Sequence, residues 1–286
     1  MLEIRHNAPV PNFAANLHYL FNEVPFLERF ALAARWGFRA VEFQVPYDYP
    51  AEQLAALLAQ HKLALALIDT PTGNWQGGDR GLASVPGRER EFLTGLDKTI
   101  EYARVLKPDC VHVLAGVYDS ATPYELAEDT FVANLKMAAE ALAKINVAAV
   151  IEPINNKMEV VKGGEQYVTH GMRGFFLNRV DQARRIIDRV GHENLFLHLD
   201  LYHQQIMQGR LAETLRENIG VIRHIQFAGV PGRHEPDVGE INYPFLFDLI
   251  DELDYRGFVG CEYRPRTTAE AGLKWATPYG ISLTKF

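Results

Sequence analysis

The chain has 286 residues, 48% hydrophobic and 23% charged, a balance that suits a globular fold with a sizeable core and excludes disorder and collagen-like structure. Subtracting 36 acidic from 29 basic residues leaves a net charge of −7, which gives no bulk attraction for nucleic acid or an anionic membrane and makes a small-molecule substrate the default. Two cysteines, Cys110 and Cys261, no leader-like pattern in Met1 to Asn12 and no apolar run approaching about 18 residues together predict a reduced, cytoplasmic, membrane-free protein.

In chain order, short apolar runs alternate with segments of helical period. Phe13 to Leu17 reads as a strand, followed by a helix over Pro25 to Trp36 that Gly37 stops. Ala40 to Gln44 is the second strand. Its helix opens at Pro50 and gives way to the third strand, Leu63 to Ile68. A glycine-rich loop precedes a helix from Arg88 to Leu106, and Cys110 to Leu114 is the fourth strand. Thr122 and Pro123 stand in N-cap and N1 order before a helix reaching Ile145. Val147 to Glu152 is the fifth strand, and Arg179 to Val190 is its helix, closed by Gly191. Then come Leu195 to Asp200 with Arg210 to Asn218, Ile222 to Ala228 with Pro244 to Leu253, and Gly257 to Tyr263 with Thr268 to Trp275. Eight such pairs in a chain of this size predict an α/β fold, a single (β/α)8 TIM barrel spanning residues 1–286. One connection is long: Pro153 to Asn178 runs 26 residues above the expected barrel mouth, and its Tyr167, Phe175 and Phe176 predict a lid.

In such barrels the chemistry sits where strands end, and strands five to eight end on Glu152, Asp200, Gln226 and Glu262. Neighbouring strands lie about 4.8 Å apart, so these side chains can converge. Three carboxylates that close repel one another unless a positive charge lies between them, which is the setting of a divalent metal site. The oxygen donors favour Mg²⁺ or Mn²⁺, with Co²⁺ or Zn²⁺ admissible. The plainer alternative pairs each acid with a rim Arg or Lys. His224 shares parity with Gln226, and the residues alone leave the ligand on that strand open. His203 is expected at the start of the loop after strand six, where it either touches substrate or supports the ligands from behind, or else serves as a surface or hydrogen-bonding histidine. Arg233, in the loop Pro231 to Pro236, suits a substrate carboxylate, with Lys157 and Lys162 as weaker candidates.

The segments Phe13-Ala14-Ala15-Asn16-Leu17, Val41-Glu42-Phe43, Pro46-Tyr47-Asp48-Tyr49, Pro86-Gly87-Arg88-Glu89, Ile151-Glu152-Pro153-Ile154-Asn155, Asp200-Leu201-Tyr202-His203, Pro231 to Pro236, Gly239 to Tyr243 and Gly260-Cys261-Glu262-Tyr263 closely resemble the hydroxypyruvate isomerase family of xylose-isomerase-like barrels. The resemblance covers nearly the whole chain. It implies a metal-dependent isomerase that interconverts hydroxypyruvate and tartronate semialdehyde. It also implies that Glu152, Asp200, Gln226 and Glu262 are the metal ligands, with Gln226 chosen over His224. Glu152 and Glu262 would move the proton, and His203 and Arg233 would touch substrate. Here the segment from Asn155 to Asn178 is longer than the family's. The 2-oxo-tetronate isomerases share most of these motifs, and Pro153-Ile154-Asn155 looks more like the hydroxypyruvate enzymes. Keto-sugar epimerisation is the nearest chemical rival. A phosphodiesterase of the endonuclease IV type needs more histidines and a basic face, and a non-catalytic barrel would lack one of the two glutamates. The partner expected is a small hydroxy-keto acid or sugar, without nucleic acid or membrane; a homo-oligomer is compatible with the sequence.

Overall fold

A computed structural model describes residues 11–157 and 171–283. Lys162 and Tyr167 lie outside the described residues. The strands are β1 (Asn12–Asn16), β2 (Ala40–Glu42), β3 (Ala64–Leu65), β4 (Leu67–Asp69), β5 (Cys110–His112), β6 (Ala148–Ile151), β7 (Leu195–Asp200), β8 (Ile222–Phe227) and β9 (Phe258–Cys261). They form one parallel sheet in the order β3-β2-β1-β9-β8-β7-β6-β5-β4. The two end strands are consecutive in the chain and break only at Ala66. Its N–H donates to the Val41 carbonyl at 2.8 Å and its carbonyl accepts from Cys110 N at 3.1 Å, so the ring is carried across the break. The expected third strand is therefore one stave shared by two partners, and the sheet is a nearly closed barrel of eight staves.

The helices fall where the period places them: α1 (Arg29–Arg35), α2 (Ala51–His61), α3 (Glu89–Leu106), α4 (Tyr124–Ala143), α5 (Val180–Val190), α6 (Leu201–Met207), α7 (Leu211–Asn218), α8 (Tyr243–Glu252) and α9 (Ala269–Gly272). Three details differ from the sequence reading. Pro123 is itself the cap of α4, with an extended ψ of 132°, so Thr122 is not the N-cap. The last predicted helix splits into α9 and a 3-10 turn over Lys274–Tyr279. Residues 201–207, read as loop, form α6. The Asp200 carboxylate caps that helix by accepting from Tyr202 N, an arrangement hidden because Asp200 also ends a strand.

Side chains two apart on a stave share a face, so each stave carries a column into the barrel. Low in the barrel the columns are apolar: Ala14, Ala40 and Ala66 cluster with Phe258, and Leu67, Cys110, Ala148 and Val150 with Phe196. Higher up the same columns reach Asn16, Glu42, Asp69, His112, Glu152, His198, Asp200, His224, Gln226 and Glu262, all buried. Both cysteines are free and buried, and burial pushes both thiols up. Outside the barrel the core packs staves against helices. Phe247 of α8 lies 5.1 Å from Phe13 and from Phe227, 5.4 Å from Tyr279 and 5.8 Å from Trp275, ring to ring. Phe247→Ala is expected to lower the unfolding free energy by about 3–5 kcal/mol, read by denaturant titration.

Candidate active site

The staves bring the predicted residues together by register. Asp200 pairs with Gln226, and Gln226 with Gly260, two residues before Glu262. A register shift between Leu197 and His198 bulges the pair and leaves Arg223 outside, bound to Asp109 at 2.6 Å. Glu152, Gln226, His203, Arg233 and Glu262 all line one cavity of about 530 Å³ at the strand ends, with His18, Tyr19, Gln44, Asp69, Trp75, His112, His198 and Arg264 among its other walls. That volume suits a small-molecule site.

Glu152 and Glu262 line its floor, and Asp200, which does not line the cavity, is joined to Glu262 through Arg233. Burial, with Asp200 and Glu262 nearby, pushes the Glu152 carboxyl well above the usual carboxylate range. Burial raises Asp200 and Glu262 as well, and Arg233 opposes it in both. Arg233 supplies the positive charge in this structure. Its Nη2 donates to Asp200 Oδ2 at 2.9 Å and to Glu262 Oε2, and its Nε to the Glu262 carbonyl at 3.1 Å. The pairing of acids with a rim arginine is thus present for these two. The other Glu262 oxygen accepts from Gln44 Nε2 at 2.7 Å. Glu152 Oε1 is buried without a hydrogen-bond partner among the described residues.

His203 belongs to α6, not to a loop, and this helix aims its ring. Nε2 lies 3.4 Å from Asp200 Oδ2 and 3.8 Å from Glu152 Oε1, while Asn155 Nδ2 lies 2.7 Å from Nδ1. Asn155 also accepts from Met172 N through its carbonyl, at 2.9 Å, which ties the long loop's return to the site. Phe175 and Phe176 are buried in the core, Phe176 stacked 5.2 Å from Tyr124, so they anchor the loop instead of facing substrate as lid residues. Lys157 is exposed and does not line the cavity.

Gln226 and His224 separate by depth. Gln226 lines the cavity, whereas His224 lies off its wall with Nε2 2.7 Å from Glu42 Oε2. Glu42, fully buried, also accepts from Asn16 Nδ2 at 2.9 Å and Gln226 Nε2 at 2.7 Å, and Gln226 Oε1 lies 2.8 Å from His198 Nε2. This hub needs a glycine beside it: a Cβ on Gly260 would come within 2.3 Å of both Glu42 carboxylate oxygens.

Among the described residues, two sets of side chains have donor atoms within 4.8 Å of one another and could hold a metal ion: Glu152 with Asp200 and His203, and Glu152 with His112 and His198. Glu262 belongs to neither, being held by Arg233. The orphaned Glu152 Oε1 and the mutual repulsion of the acids fit a cation at this floor. Strand ends five to eight do not include Glu42, Gln44, Asp69 or His112, which also line or support the cavity. The same strand-end rule applied to every stave finds all four.

Comparison with known proteins bears on the family and the fold. The family described as xylose isomerase-like TIM barrel matches residues 30–279. The chain is 46% identical to a 2-oxo-tetronate isomerase of Cupriavidus necator, over 94% of this chain and 99% of that protein. It is 44% identical to a hydroxypyruvate isomerase of Escherichia coli, over 93% and 98%. A crystal structure described as an AP endonuclease, family 2, from Brucella melitensis superposes with a TM-score of 0.87 at 43% identity, covering 94% of this chain and 99% of that one.

Replacing Glu42 by Gln puts an NH₂ group against one of three donors that now share two acceptor oxygens. Glu42→Gln is expected to cost about 3 kcal/mol of stability, measured by urea unfolding. A variant as stable as the parent would show that the charge of the hub is dispensable.

Proposed function

Because the chain belongs to the xylose isomerase-like TIM barrel family, we propose that it is an isomerase of hydroxypyruvate and tartronate semialdehyde, acting through two glutamates and a divalent metal ion. The observation that carries the reading is a pair of buried glutamates, Glu152 and Glu262, at the two ends of an arc of four staves lining one cavity. The proposed ligands are Glu152 and Asp200, which stand together in one donor set, with Gln226 and Glu262, which Glu42 and Arg233 hold in this structure, and their oxygen donors favour Mg²⁺ or Mn²⁺. When bound, such an ion polarises the substrate carbonyl and stabilises negative charge on its oxygen.

The chain's own groups then do the following. One glutamate removes a proton from the hydroxymethyl carbon of hydroxypyruvate, leaving an enediolate. The other delivers a proton to the neighbouring carbon, and the hydroxyl hydrogen passes between the two oxygens, so the product is an isomer with nothing gained or lost. The reverse reaction starts from the opposite glutamate. Burial favours proton holding in both, so each can act as acid or base in turn. Gln44 and Arg233 fix Glu262 from either oxygen. Arg233 and the Nε2 of His203 lie at the floor, where charge develops on the enediolate oxygens.

A four-carbon acid is the second reading. The 46% identity to a 2-oxo-tetronate isomerase and a cavity of about 530 Å³ favour it, while the Pro153-Ile154-Asn155 continuation supports the three-carbon acid. The ratio of kcat/KM on hydroxypyruvate and on 2-oxo-tetronate decides between them. Neutral ketoses turned over faster than either acid would overturn both.

Glu152→Gln and Glu262→Gln are each expected to lower kcat by about 10³-fold or more with the fold intact by circular dichroism. Retained turnover in either removes that glutamate from the mechanism. Treatment with a chelator is expected to abolish activity and Mn²⁺ to restore it, followed by proton exchange in heavy water; full activity after exhaustive chelation would dismiss the metal.

A further inference from the structure

Resting on the isomerase reading above, the geometry points to Arg264, not Arg233, as the residue that receives the substrate's carboxylate, and so selects hydroxy-keto acids over neutral sugars. Two arginines line the cavity. Arg233 is buried at the floor and committed to two carboxylates. Arg264 is exposed at the mouth. Its guanidinium has no protein acceptor among the described residues and rests 5.7 Å from the centre of the Tyr19 ring.

The backbone beneath it is fixed. Arg264 N donates to the Arg233 carbonyl at 2.7 Å, and its own carbonyl lies 2.9 Å from His234 Nδ1. The arginine thus stands two residues beyond Glu262 from a fixed base, with its charged end open to the cavity. Tyr19 completes the shelf: burial pushes its phenol up to about 12, so it stays neutral and adds no charge opposing an anion.

Electrostatics gives the substrate a direction. A carboxylate at the floor would join Glu152, Asp200 and Glu262, where one guanidinium already serves two acids. At the mouth the same carboxylate meets the planar fork of Arg264, which can bind both its oxygens. The reacting keto and hydroxymethyl carbons then point down toward the two glutamates. The carboxylate is unchanged through the reaction, so its partner contributes equally to ground and transition states and shows in KM rather than kcat.

The experiment compares the parent enzyme with Arg264→Leu and Arg264→Lys on hydroxypyruvate and on 2-oxo-tetronate. The expected result is a KM raised about 10- to 100-fold in the leucine variant, with kcat within about threefold and an intermediate KM in the lysine variant. A leucine variant with the parent's KM overturns the assignment and leaves the isomerase reading standing. So does a fall in kcat at constant KM that lysine does not rescue, which marks a structural role. If the parent turns over neither acid, the isomerase reading falls. Calorimetric titration of hydroxypyruvate into the parent and Arg264→Leu then decides Arg264 alone, and equal affinity overturns it.

Discussion

Burying carboxylates in the upper half of one barrel is the constraint on which the rest of this structure depends. Glu42, Glu152, Asp200 and Glu262 are each at most 6% exposed, and a buried carboxylate is costly unless it is paired and hydrogen-bonded. Each is compensated differently. Glu42 takes three donors from neighbouring staves. Asp200 has the cap bond from Tyr202 N and one guanidinium bond, and Glu262 has Gln44 and the same guanidinium. Glu152 keeps one oxygen with no hydrogen-bond partner. Glu42 is thus bonded at both oxygens, whereas Glu152 keeps an orphaned oxygen, as does Asp69 on the stave across the cavity.

Arg233 shows what that costs elsewhere. Its backbone is left-handed, with φ 56°, a conformation worth about 1–2 kcal/mol against a residue with a Cβ. Two carboxylates and the Glu262 carbonyl hold its side chain, and Arg264 N holds its carbonyl. The loop after β8 is thus pinned to the end of β9 by the charge it brings in. Strain here travels with function, as expected where surrounding contacts over-determine a residue.

The barrel was legible in the sequence because every stave is followed by a helical period and a stop signal. Lys62, Lys107 and Gly191 close their helices in left-handed conformations, and only Gly191 announces that by its type. The candidate site was legible where an acid or amide ends a strand next to an apolar run, as at Glu152, Asp200, Gln226 and Glu262. It was not legible where a residue serves two elements. Asp200 ends β7 and caps α6, so the helix carrying His203 read as a loop. Glu42 was visible only as part of a motif, because its role comes from Asn16, His224 and Gln226, which are remote in sequence and meet only when the ring closes. Phe175 and Phe176 read as lid residues because aromatic type does not reveal which side of a loop is buried.

The barrel axis orders these parts into a gradient. Apolar side chains fill the base, the Glu42 hub spans the middle, Glu152 and Glu262 with Arg233 line the floor of the cavity, and Arg264 with the exposed Trp75 stands at the rim. Apolar side chains lie beneath the hub, while Glu152 and Glu262 line the cavity at the strand ends. The acids face an opening whose nearest uncommitted charge is positive. If Arg264 takes the carboxylate as proposed, a small anion entering there is turned one way round before it reaches Glu152 and Glu262, and an arc of oxygen donors addresses one end of its substrate.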